Sequence, residues 1–96
     1  MAIYILSFEI RSDATYADRY RSLMERVNQI ARQGTWQETT SFVAFNSSLS
    51  IDDVTDTLYL DTQLTSDDKL LVIQPSVGSY RHLHLDFPNT LQGILG

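Results

Sequence analysis

The chain has 96 residues and a mass of 10.9 kDa, which is the length of one small domain. Hydrophobic residues make up 43% of it and charged residues 20%, and these fractions exclude a disordered chain. There are 12 acidic and seven basic residues, a net charge of −5, and no cysteine, which excludes disulfides, thiolate metal sites and a cysteine nucleophile.

The charge is uneven along the chain. Residues 1–50 carry five acidic and five basic residues, whereas residues 51–96 carry seven acidic residues and two basic ones. Proteins bind nucleic-acid phosphates through Lys and Arg, so this composition disfavours general nucleic-acid binding. Arg21 and Arg32, within the run of arginines from Arg11 onward, are the residues that we assign to a nucleic-acid footprint. A solvated helix face with ordinary ion pairs is the alternative interpretation.

The amino-terminal residues contain no basic region before their short apolar run, so we expect no signal peptide. No window approaches the ~18 apolar residues that a membrane-spanning helix needs. The sequence therefore predicts a cytoplasmic protein without a membrane partner.

The first half of the chain begins with a strand and a long helix. Ala2–Ile10 is an almost continuous apolar run, which is typical of a central strand. Thr15 and Asp18 have the spacing of a capping box. Apolar residues then recur every three or four positions, which predicts an amphipathic helix over Tyr16–Gln33, ended by Gly34.

Three strands and a second helix are predicted next. Thr35–Glu38 is a short strand candidate, and Ser41–Phe45 is a clearer one. Ser50 and Asp53 form a second capping box at the start of the second helix. Lys69–Gln74 is the fourth strand. The apolar stripe of the second helix is formed by Ile51, Val54, Thr55, Leu58 and Leu64.

The tail follows Pro75 and Gly78, which end the fourth strand. Tyr80–Asp86 fits an edge strand, and Asn89–Leu95 fits a short helix or an arm. We therefore divide the chain into a domain over residues 1–78 and a C-terminal arm over residues 79–96, exchanged between protomers or packed at a dimer interface.

The element order β-α-β-β-α-β predicts an α+β, ferredoxin-like fold. In that fold a four-stranded antiparallel sheet carries both helices on one face, here with a C-terminal arm or extra strand. The other face would be bare, although Phe8, Phe42 and Trp36 are too apolar to leave in water. Because a bare apolar face usually marks a partner, we predict a homodimer through the sheet face.

The order and spacing of several features resemble a known family. They are the opening strand ending in Ser7-Phe8-Glu9, the helix closing on Gly34, then Trp36, Thr40–Phe45, and Asp67–Ile73. The chain resembles the small ferredoxin-like proteins around the second CRISPR-associated adaptation protein and the VapD-type toxins, and within them an uncharacterised SinR-like branch. The resemblance covers residues 2–75.

This resemblance implies a dimer, often with a C-terminal strand that crosses to the partner's sheet. It also implies a metal-dependent nuclease centred on an acid at the end of the first strand, although some members bind duplex DNA as structural subunits. The family's aspartate position holds Glu9 here, and the extra methylene moves the carboxylate by about 1 Å or more.

Glu9 is accordingly the candidate catalytic and metal-binding residue. Two Glu9 carboxylates across a two-fold axis could hold one Mg²⁺, which takes one or two carboxylates plus waters. The alternative is a strand-end acid that lies in solvent or pairs with Arg11.

Two further groups of residues have binding chemistry. His82, His84 and Asp86 alternate, so on a strand they would share one face and could ligate a metal such as Zn²⁺. The alternative to a metal site is that the two histidines are simply exposed to solvent. Trp36, Tyr16 and Tyr20 could stack nucleobases, although core packing or dimer contact is the more common role of such aromatics.

No complete catalytic set is present, so we expect a non-enzymatic interaction module whose protein partner the sequence does not identify. The alternatives are a Mg²⁺-dependent endoribonuclease that uses Glu9, and nucleic-acid binding through the arginines of the first helix.

Overall fold

The computed structural model describes residues 2–96 and contains four strands and three helices. In chain order they are β1 (Ala2–Glu9), α1 (Tyr16–Ile30), β2 (Thr35–Trp36), β3 (Phe42–Ser47), α2 (Ile51–Leu60), β4 (Lys69–Ile73) and α3 (Pro88–Leu95). The predicted small α+β domain is confirmed at this level.

The four strands form one antiparallel sheet in the order β2-β3-β1-β4. Leu6 of β1 lies opposite Val43 of β3 on one side and opposite Val72 of β4 on the other. The continuous apolar run of β1 therefore occupies a central position, as predicted. The two edges are β4 and β2, and β2 is only two residues long.

The first face of the sheet is covered by α1 and α2. Alternate residues of β1 point to this face, and Leu6 is fully buried there against Leu23 of α1 and Leu58 of α2 in one hydrophobic cluster. The buried members of this cluster are Tyr4, Leu6, Phe8, Ile10, Leu23, Met24, Val27, Val43, Phe45, Val54, Leu58 and Leu64.

The second face is half covered by the tail of the same chain. Trp36 and Ala44 form a smaller buried cluster with Leu91, Ile94 and Leu95 of α3. The expectation of a wholly bare second face is thus wrong, because α3 packs over β2 and β3. The predicted helix at Asn89–Leu95 is confirmed.

The predicted edge strand over Tyr80–Asp86 is wrong, because that segment adopts neither strand nor helix. His84 has a φ of 60°, a left-handed backbone conformation that interrupts any extended run. The chain instead follows an irregular path from β4 to α3.

The two predicted capping boxes differ in outcome. The Ser50 hydroxyl accepts a hydrogen bond from the Asp53 N–H at 3.1 Å, so the cap of α2 is confirmed. Thr15 makes no side-chain cap of α1. Its N–H and hydroxyl instead donate to Asp13 Oδ1 at 2.9 and 3.0 Å.

Helix α1 ends at Ile30, before the predicted end at Gln33. Ala31 is extended, with φ −74° and ψ 136°, and the Arg32 N–H donates to the Asn46 carbonyl at 2.8 Å. This bond draws the chain out of the helix toward β3. Across residues 2–96, no helix combines the length and apolar character needed to cross a membrane.

Candidate functional site

The second sheet face keeps an uncovered surface where β1 meets β4. Its facing pairs are Ile5 with Ile73, Ser7 with Leu71, and Glu9 with Lys69. We call these six residues the β1–β4 strip. Leu71 is 58% exposed and Ile73 is 45% exposed, so the strip presents apolar side chains to solvent.

The strip lies beside an open sheet edge. Within the described chain, β4 pairs with β1 alone, so its outer side presents N–H and C=O groups without strand partners. Such an edge is a ready template for contact with another chain. Leu71 and Ile73 thus place two exposed apolar side chains on this edge strand.

Glu9 lies at the polar end of the strip, where it is exposed. It is opposite Lys69 in register, but its carboxylate makes no hydrogen bond or ion pair with any residue from 2 to 96. The alternative pairing with Arg11 does not occur, because the Arg11 guanidinium binds Asp67 at 3.0 Å. The described residues bring together no group of three or more His, Asp or Glu able to hold a metal ion.

A buried ionic junction lies just beyond Glu9. Arg19 is 4% exposed and donates from Nη2 to the Arg11 carbonyl at 2.6 Å and to Asp13 Oδ1 at 3.1 Å. Its Nε lies 3.7 Å from Asp68 Oδ2, an ion-pair distance that is too long for a hydrogen bond. The junction therefore joins α1 to the segment that follows β1 and to the segment that precedes β4.

Asp68 is the other buried member of the junction. Its two carboxylate oxygens accept the Arg11 N–H at 2.9 Å and the Thr65 N–H at 2.8 Å. Burial pushes the pKa of Asp68 upward, but the backbone hydrogen bonds from Thr65 and Arg11 and the Arg19 charge outweigh it, so the pKa is lowered. These bonds fix the end of β1 against the start of β4.

Asp13 completes the junction from the exposed side. The backbone hydrogen bond from Thr15 lowers the pKa of Asp13, and the neighbouring Arg19 charge lowers it further. The sequence alone did not predict this junction. The available signal was Arg19 itself, a charged residue inside the apolar spacing of Tyr16, Tyr20 and Leu23.

The two residues assigned to nucleic-acid binding do not form a basic patch. Arg21 pairs with Asp18 at 2.8 Å, and both side chains are exposed. Arg32 lies beyond the end of α1, and the described chain supplies no partner for its guanidinium. Glu25 lies one turn after Arg21 on α1, so the exposed acids Asp18 and Glu25 flank Arg21 on the helix surface.

The proposed zinc ligands are not gathered into a site. The His82 ring stacks on Tyr80 with centroids 6.3 Å apart, and His84 adopts the left-handed backbone noted above. The Asp86 N–H is bonded to the carboxylate of Glu38. Without a strand, the alternation of these residues no longer places them on one face.

The three aromatic residues considered for base stacking are divided between the two faces. Trp36 is 5% exposed in the cluster under α3, edge-on to Phe42 at 5.8 Å. Tyr16 and Tyr20 lie on α1, half-exposed, and stack on one another. The alternative of core packing is therefore confirmed for Trp36, whereas Tyr16 and Tyr20 form an exposed aromatic pair on α1.

Comparison of the chain with protein-family models, with curated proteins and with solved structures found no match.

Proposed function

We propose that this protein is a non-enzymatic interaction module that forms a homodimer through the β1–β4 strip. The observation that carries the proposal is the exposure of Leu71 and Ile73 on an edge strand, in a face that α3 leaves half uncovered. Large apolar side chains gathered beside an open edge are stabilised when a partner removes them from water.

A ferredoxin-like classification belongs to the same proposal. Its support is the order β1-α1-β2-β3-α2-β4, with β1 and β3 in the middle of the sheet and α1 and α2 on one face. The resemblance to the CRISPR-associated adaptation family over residues 2–75 adds the expectation of a dimer and remains part of this proposal.

The charges of the strip favour a second copy of this chain as the partner. Each chain carries −5, yet the strip holds one Glu and one Lys and is locally neutral, so two strips do not repel. A two-fold axis parallel to the strands would stack the strips face to face. It would set Glu9 of one copy over Lys69 of the other, Ile73 over Ile5 and Leu71 over Ser7, so that opposite charges meet and Ile73 meets an apolar side chain.

The test is sedimentation of the full chain at micromolar concentration, with Leu71→Glu and Leu60→Glu compared. Leu60 is 72% exposed on α2, outside the strip, so both variants place one new charge on an exposed leucine. We expect the wild type and Leu60→Glu to be dimers and Leu71→Glu to be a monomer. A monomeric wild type, or the same mass for both variants, would refute the proposal.

A charge exchange tests the arrangement within the dimer. Glu9→Lys should weaken the dimer, because it sets two lysines against each other across the interface, and the double variant Glu9→Lys with Lys69→Glu should restore it. If the double variant dimerises no more tightly than Glu9→Lys, this two-fold arrangement is wrong.

The enzymatic alternative needs its own measurement. Incubation of the protein with structured and single-stranded RNA and Mg²⁺ should produce no cleavage if the module is non-enzymatic. Cleavage that is lost in Glu9→Ala would contradict this part of the proposal and support the endoribonuclease. Salt-sensitive RNA binding that is lost in Arg32→Ala would instead support the nucleic-acid alternative.

A further inference from the structure

A second surface feature lies on the first face, away from the strip. It is a cleft of about 320 Å³ between the start of α1 and the loop that joins β2 to β3. Tyr16 and Tyr20 form one wall, Phe8 contributes the floor, and Thr39, Thr40 and Ser41 form the other wall. This volume is at the small end of the range of pockets that bind small molecules.

The aromatic wall is ordered and accessible. The Tyr16 and Tyr20 rings stack with centroids 6.2 Å apart and an interplanar angle of 18°, and Tyr20 packs on the buried Phe8 at 6.0 Å. The two tyrosines are 39% and 37% exposed. Neither phenolic oxygen has a hydrogen-bond partner among residues 2–96, so both remain available to a ligand.

The opposite wall presents three consecutive hydroxyl side chains. Thr39, Thr40 and Ser41 make no side-chain hydrogen bonds in the part of the chain that the structure describes. Ser41 has a φ of 56°, which is uncommon for a residue other than glycine. Its carbonyl accepts the Phe8 N–H at 3.1 Å, which ties this loop to the end of β1. Backbone held in such a conformation is frequent at binding sites.

The charge of the cleft restricts the class of ligand. No Lys or Arg lines it, so phosphate and carboxylate groups would find no cationic partner. Glu38 is the one acidic lining residue, and its carboxylate is already bonded to the N–H groups of Asp86 and Phe87. What remains are hydroxyls that both donate and accept, beside flat aromatic rings.

We propose that this cleft binds a neutral saccharide. A sugar ring has an apolar face that can lie on Tyr16 and Tyr20. Its hydroxyl groups both donate and accept hydrogen bonds, as do those of Thr39, Thr40 and Ser41. The absence of cationic lining residues favours a sugar over a nucleotide or single-stranded nucleic acid. The site is separate from the dimer surface and does not depend on it.

The test is a titration of the ¹⁵N-labelled full chain with cellobiose and with maltose, followed by amide chemical shifts. We expect saturable shifts confined to residues 37–43 and the first two turns of α1 with at least one of the two sugars. Tyr16→Ala should weaken binding roughly tenfold, the size expected for loss of one aromatic contact. Tyr59→Ala is the matched control, because Tyr59 is 41% exposed on α2 and does not line the cleft.

A second variant guards against loss of folding. Thr40→Ala removes an exposed hydroxyl that makes no hydrogen bond within residues 2–96, so its spectrum should stay native while its affinity for the sugar falls severalfold. The proposal is overturned if neither sugar shifts these amides at millimolar concentrations. It is also overturned if Tyr59→Ala weakens binding as much as Tyr16→Ala, or if a single-stranded oligonucleotide or a proline-rich peptide binds the cleft more tightly than either sugar.

Discussion

The two faces of the sheet bury their side chains to different extents. On the first face, Tyr4, Leu6 and Phe8 of β1 are all 7% exposed or less beneath α1 and α2. On the second face, the intervening residues Ile3 and Ile5 are only half-buried. One face of β1 therefore lies in the large core under α1 and α2, whereas its other face lies at the margin of the smaller cluster under α3.

Helix length accounts for this difference. At 1.5 Å per residue, the 15 residues of α1 and ten of α2 extend about 22 and 15 Å, whereas the eight residues of α3 extend about 12 Å. One short helix covers β2 and β3 and stops before β4. We therefore expect the first face to contribute more to the folding free energy than the second, which keeps exposed apolar side chains at β4.

The largest expected effect separates the two clusters directly. Leu6→Ala should cost about 4 kcal/mol of unfolding free energy, because Leu6 is fully buried under two helices and its site cannot collapse easily. Leu91→Ala should cost about 2 kcal/mol, because α3 can shift over the cavity. Chemical denaturation measures both, and equal losses would contradict the unequal roles of the two faces.

The next effect concerns the buried junction that fixes α1 on the first face. Arg19→Ala should cost about 3 kcal/mol, since it leaves the buried Asp68 carboxylate without its ion pair and the Arg11 carbonyl without its donor. Arg21→Ala is the control, because Arg21 makes only an exposed pair with Asp18, and it should change stability by less than about 0.5 kcal/mol. A near-zero effect of Arg19→Ala would show that the junction is not structural.

The junction also predicts a dependence of stability on pH. The pKa values of Asp13 and Asp68 are lowered in the folded chain, so their stabilisation is fully present above the ordinary aspartate pKa of about 3.9. It is lost as the pH falls through the folded values. We expect urea midpoints to be similar at neutral and mildly acidic pH and to fall below about pH 4. Asp68→Asn should flatten this fall, and an unchanged fall in this variant would contradict the role of Asp68.

The sequence predicted the first face better than the second, for physical reasons. The periodicity of α1 and the Ser50 cap of α2 are local patterns, so both helices could be predicted. The continuous apolar run of β1 is also local, and it predicted the central position of that strand. The half coverage by α3 depends on where an irregular segment, residues 79–87, delivers the chain, and no local pattern encodes that path.

In the candidate site, too, local features could be predicted from the sequence and features that depend on tertiary contacts could not. The end of β1 could be predicted, because its apolar run stops at Glu9, and Glu9 is exposed there in the structure. The charged Arg19 inside the apolar spacing of α1 hinted at burial, but its partners could not be predicted, because Asp68 lies 49 positions further along the chain. Thr15 does not act as a cap because its backbone, at φ −104° and ψ 9°, lies outside the extended region that capping residues adopt. The pairing of Tyr16 with a hydroxyl loop likewise requires the tertiary fold.

The smallest expected effect tests how α3 is held on the second face. Glu38 joins the loop after β2 to the start of α3 by accepting the N–H groups of Asp86 and Phe87, the second at 3.4 Å. Because α3 begins with Pro88 and has no side-chain cap bond, the Glu38 carboxylate instead holds the two residues that precede the helix. Its negative charge also lies near the positive end of the helix dipole, which is stabilising. Glu38→Ala should therefore cost about 1 kcal/mol.

Amide hydrogen exchange locates that loss. In Glu38→Ala the amides of α3 should exchange faster, while those of α1 and α2 keep the wild-type rates, because only the second face is loosened. Glu25→Ala, an exposed acid on α1 with no partner in the described chain, should change neither. Faster exchange in α1 as well would mean that the two faces unfold as one unit, and the distinction between a closed first face and a separately fastened second face would not hold.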